Sequence, residues 1–111
     1  MSQIDKVIDA LIRFRDERDW SQFHDSRNLA LAISIEAAEL NELFLWRKDN
    51  GDDVDQEKLR EELADIFAFS LLLAHKHNLD VAQIILEKIQ TNAEKYPVEK
   101  AKGTATKYTD L

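Results

Sequence analysis

Residues 29–47, LALAISIEAAELNELFLWR, and residues 57–77, EKLREELADIFAFSLLLAHKH, decide the reading of this chain. Both carry the apolar spacing of an amphipathic helix. In the first, Leu29, Ala32, Ile33, Leu40 and Leu43 fall within about 60° of Glu36 at ~100° per residue, and Glu39 falls on the same side. In the second, Leu59, Ile66, Phe69 and Leu73 surround Glu62 in the same way, with Asp65 three residues further on. Two helices therefore share one device. A carboxylate, two intervening residues and a second carboxylate sit in the face that should meet a partner helix.

That placement is costly. An ionised carboxylate in an apolar interior must be neutralised, paired or metal-bound. Residues three apart share a helix face, so each pair could offer oxygens to one cation. Four converging carboxylates, Glu36, Glu39, Glu62 and Asp65, suit a hard divalent ion such as Mg²⁺, with Mn²⁺ as a substitute. The bland alternative is that they are solvated acids at the edge of each stripe. Two such pairs, each centred on an apolar face, favour metal binding.

The composition fits a single all-α domain over residues 1–111. Apolar residues make up 44%, enough for a modest core, and two Gly with one Pro leave little turn chemistry for a sheet. The absence of cysteine removes disulfides and thiolate metal sites, and is compatible with a reducing, cytoplasmic setting. MSQIDKVIDALIRF lacks the pattern of a signal peptide. The apolar run from Leu63 to Ala74 is interrupted by Asp65 and too short to span a bilayer, so no membrane partner is expected. A net charge of −7 disfavours binding to a nucleic-acid polymer, which needs clustered Lys and Arg.

In chain order, the spacing predicts four helices in a bundle-like arrangement. The first starts at Ser2, whose Ser-x-x-Asp pattern resembles a capping box, and runs to about Arg18. Its inward positions are Ile4, Val7, Ile8, Leu11 and Phe14, and nothing on that face is polar enough to suggest chemistry. A polar connection over residues 18–28 holds Trp20, Phe23 and His24. These aromatics either cap the end of the bundle or line a pocket for a planar base, with Arg27 and Asn28 as phosphate or base contacts; packing is the commoner fate. Trp46 falls at the edge of the carboxylate face of the second helix, as core or as a pocket wall. The loop over residues 48–56, KDNGDDVDQ, fails the twelve-residue calcium-loop pattern and reads as a solvated acidic loop. His75 and His77, two apart, point in different directions and suit a helix C-terminus rather than a metal clamp. Asp80 with Gln83 forms a capping box for a fourth helix that stops at Pro97. On it, Lys88, Asn92 and Lys95 form a basic stripe, either ordinary exposed surface or a phosphate-gripping face with Tyr96. Residues 98–111 read as a polar, flexible tail, with Lys107 and Tyr108 an unusual ending for mere solvated chain.

Three segments carry a family resemblance: RDWSQFHDSRNLALAISIEAAELNELFLWR, EELADIFAFSLLLA and KIQTNAEKYPVEKAKGTATKYTDL. Together they resemble the MazG-like, all-α nucleoside triphosphate pyrophosphohydrolases, and most nearly the dCTP pyrophosphatase branch. The resemblance implies Mg²⁺-dependent cleavage of a (deoxy)nucleoside triphosphate to the monophosphate and pyrophosphate, as nucleotide-pool house-cleaning. It implies metal ligands at Glu36, Glu39, Glu62 and Asp65. It also implies a base pocket at Trp20, His24 and Trp46 with Asn28 close by. Triphosphate contacts would fall to Lys88, Asn92, Lys95 and Tyr96, with Lys107 and Tyr108 closing the site. The family forms dimers and tetramers whose sites lie at subunit contacts, so a homodimer or homotetramer is expected. One departure is Leu11, which stands where the branch is expected to carry a polar ring near the base.

Phosphoanhydride hydrolysis rests on positioning and charge stabilisation rather than covalent chemistry. Glu39 is the choice for the base that takes the water's proton. No nucleophile triad, P-loop or dinucleotide fingerprint is present. A di-iron bundle would need Glu-x-x-His pairs, and neither Glu36 nor Glu62 has a His at the third place. A non-enzymatic helical interaction module with solvated acids is the remaining alternative.

Overall fold

The computed structural model describes residues 1–48 and 50–111. Among them every regular element is helical: α1 (Gln3–Glu17), a 3₁₀ turn (Ser21–Phe23), α2 (Ser26–Glu42), α3 (Gln56–Lys76), α4 (Val81–Lys95), α5 (Val98–Ala101) and a closing 3₁₀ turn (Tyr108–Asp110). The all-α class follows directly. The chain divides into two compact units, Met1–Asn78 and Leu79–Leu111.

In the first unit, α3 packs along α2 and more lightly against α1. Side-chain caps start all three helices. Ser2 and Asp5 form the expected reciprocal box on α1, with bonds of 3.1 and 3.2 Å. Asp25 accepts from the Asn28 N–H at 2.7 Å to begin α2, and Asp55 accepts from the N–H groups of Glu57 and Lys58 to begin α3. Among the described residues the buried apolar set is small: Leu29, Val54, Leu72 and Ala74, with Leu29 at 2% exposure. The inward stripe expected on α1 is only half covered, since Ile4, Val7 and Phe14 remain exposed.

α2 ends earlier than its apolar pattern suggests. After Glu42 the bonds shorten to three-residue steps, Leu43 N–H to Leu40 C=O and Phe44 N–H to Asn41 C=O. Trp46 then takes a left-handed backbone with φ of 64°. The helical wheel no longer applies there, so Trp46 leaves the carboxylate face. Gly51 enforces the following turn: φ is +79°, and a Cβ would lie 2.7 Å from the Phe44 ring. The described acids of the loop, Asp52, Asp53 and Asp55, are solvated as expected, and the loop is also tied down. Arg47 meets the Asp53 carboxylate at 3.3 Å, Val54 is buried, and Asp55 caps α3; Asp49 of that loop lies outside the described residues. His75 and His77 occupy the last turn and cap of α3, as expected. The His77 ring meets the Ser26 hydroxyl at 2.8 Å, joining the end of α3 to the start of α2.

In the second unit, Asp80 accepts from the Gln83 N–H at 3.0 Å, but the Gln83 amide turns to Glu87 instead of completing the box. α4 stops before Pro97, which opens α5. The tail is more structured than its composition suggests. Tyr108 packs edge-on against Tyr96 at 5.9 Å, and the Lys95 ammonium sits 4.9 Å from the Tyr108 ring centre.

Candidate active site

The α2–α3 pairing brings Glu36 from one helix to Glu62 and Asp65 on the other. Carboxylate oxygens of these three residues all lie within 4.8 Å of one another. Glu36 and Glu62 are half-buried and Asp65 is exposed. Glu36 Oε2 and Glu62 Oε2 are sealed from solvent without a hydrogen-bond partner. An acceptor oxygen left in that state is unfavourable, so a guest that satisfies it is favoured.

Burial is the main force pushing the Glu36 carboxyl up from 4.5 to about 7. Hydrogen bonding of its protonated form to Glu62 and Glu39 adds to this, as do the charges of Glu39 and Asp65. Burial also raises Glu62, with the Glu39 and Asp65 charges in the same direction and the neighbouring Glu36 carboxyl, as a potential proton donor, opposing. Crowded negative charge, an all-oxygen donor set and two orphaned buried acceptors fit a hard divalent cation. Glu39 stands slightly apart. Its charge acts on both glutamates, yet it is exposed and is not one of the three converging carboxylates.

Beside this cluster lies a cavity of about 360 Å³, within the range of small-molecule sites. α1 contributes Leu11, Phe14 and Arg15; the junction contributes Trp20 and His24; α3 contributes Asp65, Ala68, Phe69 and Leu72. Asp65 thus belongs to both the cluster and the cavity wall. Trp20 packs edge-on against Phe14 at 5.7 Å, and His24 against Phe69 at 6.3 Å. Burial and the Arg15 charge lower the His24 pKa, which keeps the imidazole neutral, and its Nδ1 is buried without a partner.

The other residues singled out by sequence separate into groups. Asn28 donates its side-chain amide to the Phe23 carbonyl at 3.0 Å and holds the junction together. Arg27 is exposed, and Trp46 is 90% exposed and does not line the cavity. Lys88, Asn92 and Lys95 lie along α4, exposed, with Tyr96 as its cap. Tyr108 rests on Tyr96 and Lys95, while Lys107 opens the last 3₁₀ turn. The pattern missed Arg15, Phe69 and Ala68 as cavity residues. Arg15 follows Leu11 by one helical turn, so a cation at the edge of an apolar stripe was the available signal.

A family model described as MazG-like matches residues 31–111. Over 104 residues the chain is 42% identical to dCTP pyrophosphatase 1 of Mus musculus and 38% identical to that of Homo sapiens. Each alignment takes in 88% of this chain and 61% of the relative, so the chain spans about three-fifths of the length of these curated relatives. The crystal structure of a pyrophosphatase from Archaeoglobus fulgidus superposes with a TM-score of 0.83 at 31% identity, covering 87% of this chain and 94% of the other.

Proposed function

The chain belongs to the MazG-like family, and from that premise we propose that it hydrolyses a (deoxy)nucleoside triphosphate, dCTP or a modified analogue, to the monophosphate and pyrophosphate. The observation that carries this reading is the convergence of Glu36, Glu62 and Asp65 within 4.8 Å, with two carboxylate oxygens buried and unpartnered. Relatives bearing the name dCTP pyrophosphatase 1 and a pyrophosphatase of like fold support it.

In this reading Glu36, Glu62 and Asp65 hold Mg²⁺, or Mn²⁺ in its place. The ion, when bound, supplies neutralisation of phosphate charge and acidification of water. Glu39, exposed beside the cluster, takes the proton of the attacking water. The water's oxygen–phosphorus bond forms as the bond between the α- and β-phosphates breaks, and pyrophosphate leaves. Trp20 and Phe69 offer aromatic faces to the base in the cavity, and its apolar walls exclude water from that end of the substrate. Lys88, Asn92, Lys95, Tyr96, Lys107 and Tyr108 are the proposed triphosphate contacts, a set of cations, an amide and hydroxyls suited to phosphate oxygens. Arg27 and Trp46 belong to the substrate-binding set on family likeness.

Self-association into a homodimer or homotetramer completes the proposal. Ile35 and Phe67 stand 59% and 62% exposed, and large apolar side chains left in water favour association. No helix of the described residues is long and apolar enough to cross a membrane; a cytoplasmic setting rests on the cysteine-free composition.

The test is pyrophosphate release from a panel of canonical and modified NTPs and dNTPs, with Mg²⁺, Mn²⁺ or EDTA. Release that needs the metal and disappears in Glu36→Gln and Asp65→Asn supports the reading. A folded, metal-supplied protein that releases nothing from any nucleotide sinks it in favour of a helical interaction module.

A further inference from the structure

Leu11, Phe14 and Arg15 lie at i, i+3 and i+4 on α1, and all three line the cavity. Most of the wall they join is apolar or aromatic. Its polar members are Arg15, His24 and Asp65, and these are not equivalent. Asp65 is an acceptor shared with the carboxylate cluster. His24 has its Nδ1 sealed by burial. Arg15 is a fixed cation that can only donate.

The Arg15 side chain is 23% exposed, and its Nε donates to the Asp16 carboxylate at 2.9 Å. That bond orients the guanidinium and leaves its two terminal amino groups uncommitted among the described residues. A half-buried guanidinium with free parallel donors, in the wall of an aromatic-lined cavity, is the arrangement that reads a planar group by its edge.

We propose that Arg15 is the residue that selects the base, gripping a nucleobase edge that carries two adjacent acceptors. Cytosine offers O2 and N3, and guanine offers O6 and N7. Uracil and thymine place an N–H beside each carbonyl, and adenine places its amine beside N1 and N7 and leaves N3 without an adjacent acceptor, so none of them offers both donors a partner. The inference rests on the nucleotide-hydrolysing reading given above and deepens it.

The experiment compares kcat/KM for dCTP, dGTP, dTTP, dUTP and dATP between the wild type, Arg15→Met and Arg15→Lys. Arg15→Met should lose about 10- to 100-fold on whichever of dCTP and dGTP the wild type prefers, and little on the other bases, so that the ranking flattens. The dCTP and dGTP arms separate the two possible sources of the edge. Arg15→Lys keeps the charge without the two parallel bonds and should recover only part of the loss. It carries the same test if Arg15→Met fails to fold. A wild-type preference for dTTP, dUTP or dATP, an equal fall on all five nucleotides, or unchanged ratios would each overturn the inference while leaving hydrolysis standing. Absence of release from every nucleotide by the wild type would remove the hydrolytic reading, and this inference with it.

Discussion

Glu36 on α2 and Glu62 on α3 face one another with carboxylate oxygens inside 4.8 Å, and each keeps its Oε2 buried with nothing to bond to. Two like charges at that spacing repel, so the metal-free fold favours a proton on the pair. The native pKa of Glu36, about 7, lies above its ordinary 4.5. Its contribution to stability is therefore full below about 4.5 and is lost as the pH rises through about 7. Glu36→Gln, which mimics the protonated form, should melt higher than the wild type in EDTA at pH 8. That gap should close towards pH 5 in thermal melts. A gap that widens on acidification would contradict the assignment.

The same proton competes with a cation. Mg²⁺ or Mn²⁺ should raise the melting temperature of the wild type at pH 8, by about 10 °C at about 100 times the dissociation constant. The half-saturating concentration should increase as the pH falls below about 7. Glu62→Gln and Asp65→Asn should abolish the metal-induced shift.

In the proposed mechanism Glu39 separates chemistry from metal holding. It lies outside the three-carboxylate group yet close enough to act on Glu36. Glu39→Gln should lower kcat by about 10²- to 10⁴-fold, the usual contribution of a general base, while the metal-induced shift in melting temperature stays. Loss of that shift instead would make Glu39 a ligand.

Trp46 holds a left-handed backbone at φ 64° while 90% exposed. Such a conformation costs a residue with a Cβ about 1–2 kcal/mol. Trp46→Gly should therefore leave the denaturation midpoint unchanged or raise it, despite removal of a large aromatic. If Trp46 contacts substrate, the same variant should raise KM.

Leu29 is the most deeply buried side chain of the small core. Leu29→Ala should cost about 2–5 kcal/mol in denaturant unfolding. Ser26→Ala, which removes the exposed hydroxyl bonded to His77, should cost no more than about 1 kcal/mol.

Much of the architecture was legible because it is written in short-range rules. The box at Ser2 and Asp5, the cap at Asp80 and the stop before Pro97 each involve residues within a few positions of one another. The carboxylate cluster was legible because Glu36, Glu62 and Asp65 violate the apolar periodicity around them. What escaped the pattern depends on where the chain turns in space. Helical spacing carried past Glu42, where α2 ends, misplaces Trp46, and the contact of Gly51 with Phe44 that accompanies the turn is not periodic. Arg15 escaped because periodicity weighs apolar residues, and a cation bordering the stripe reads as ordinary surface. The order in residues 104–111 rests on Tyr96, Lys95 and Tyr108, which are contacts between distant positions.

Asp65 has one carboxylate and two neighbours, the acidic cluster on one side and the cavity on the other. In the proposed reading, occupants of the two places would be thermodynamically linked through it. By whatever factor a nucleoside lodged in the cavity changes the affinity for the cation, the cation changes the affinity for the nucleoside by that same factor. Titrating one ligand at fixed levels of the other measures that reciprocity, before any phosphate bond is broken.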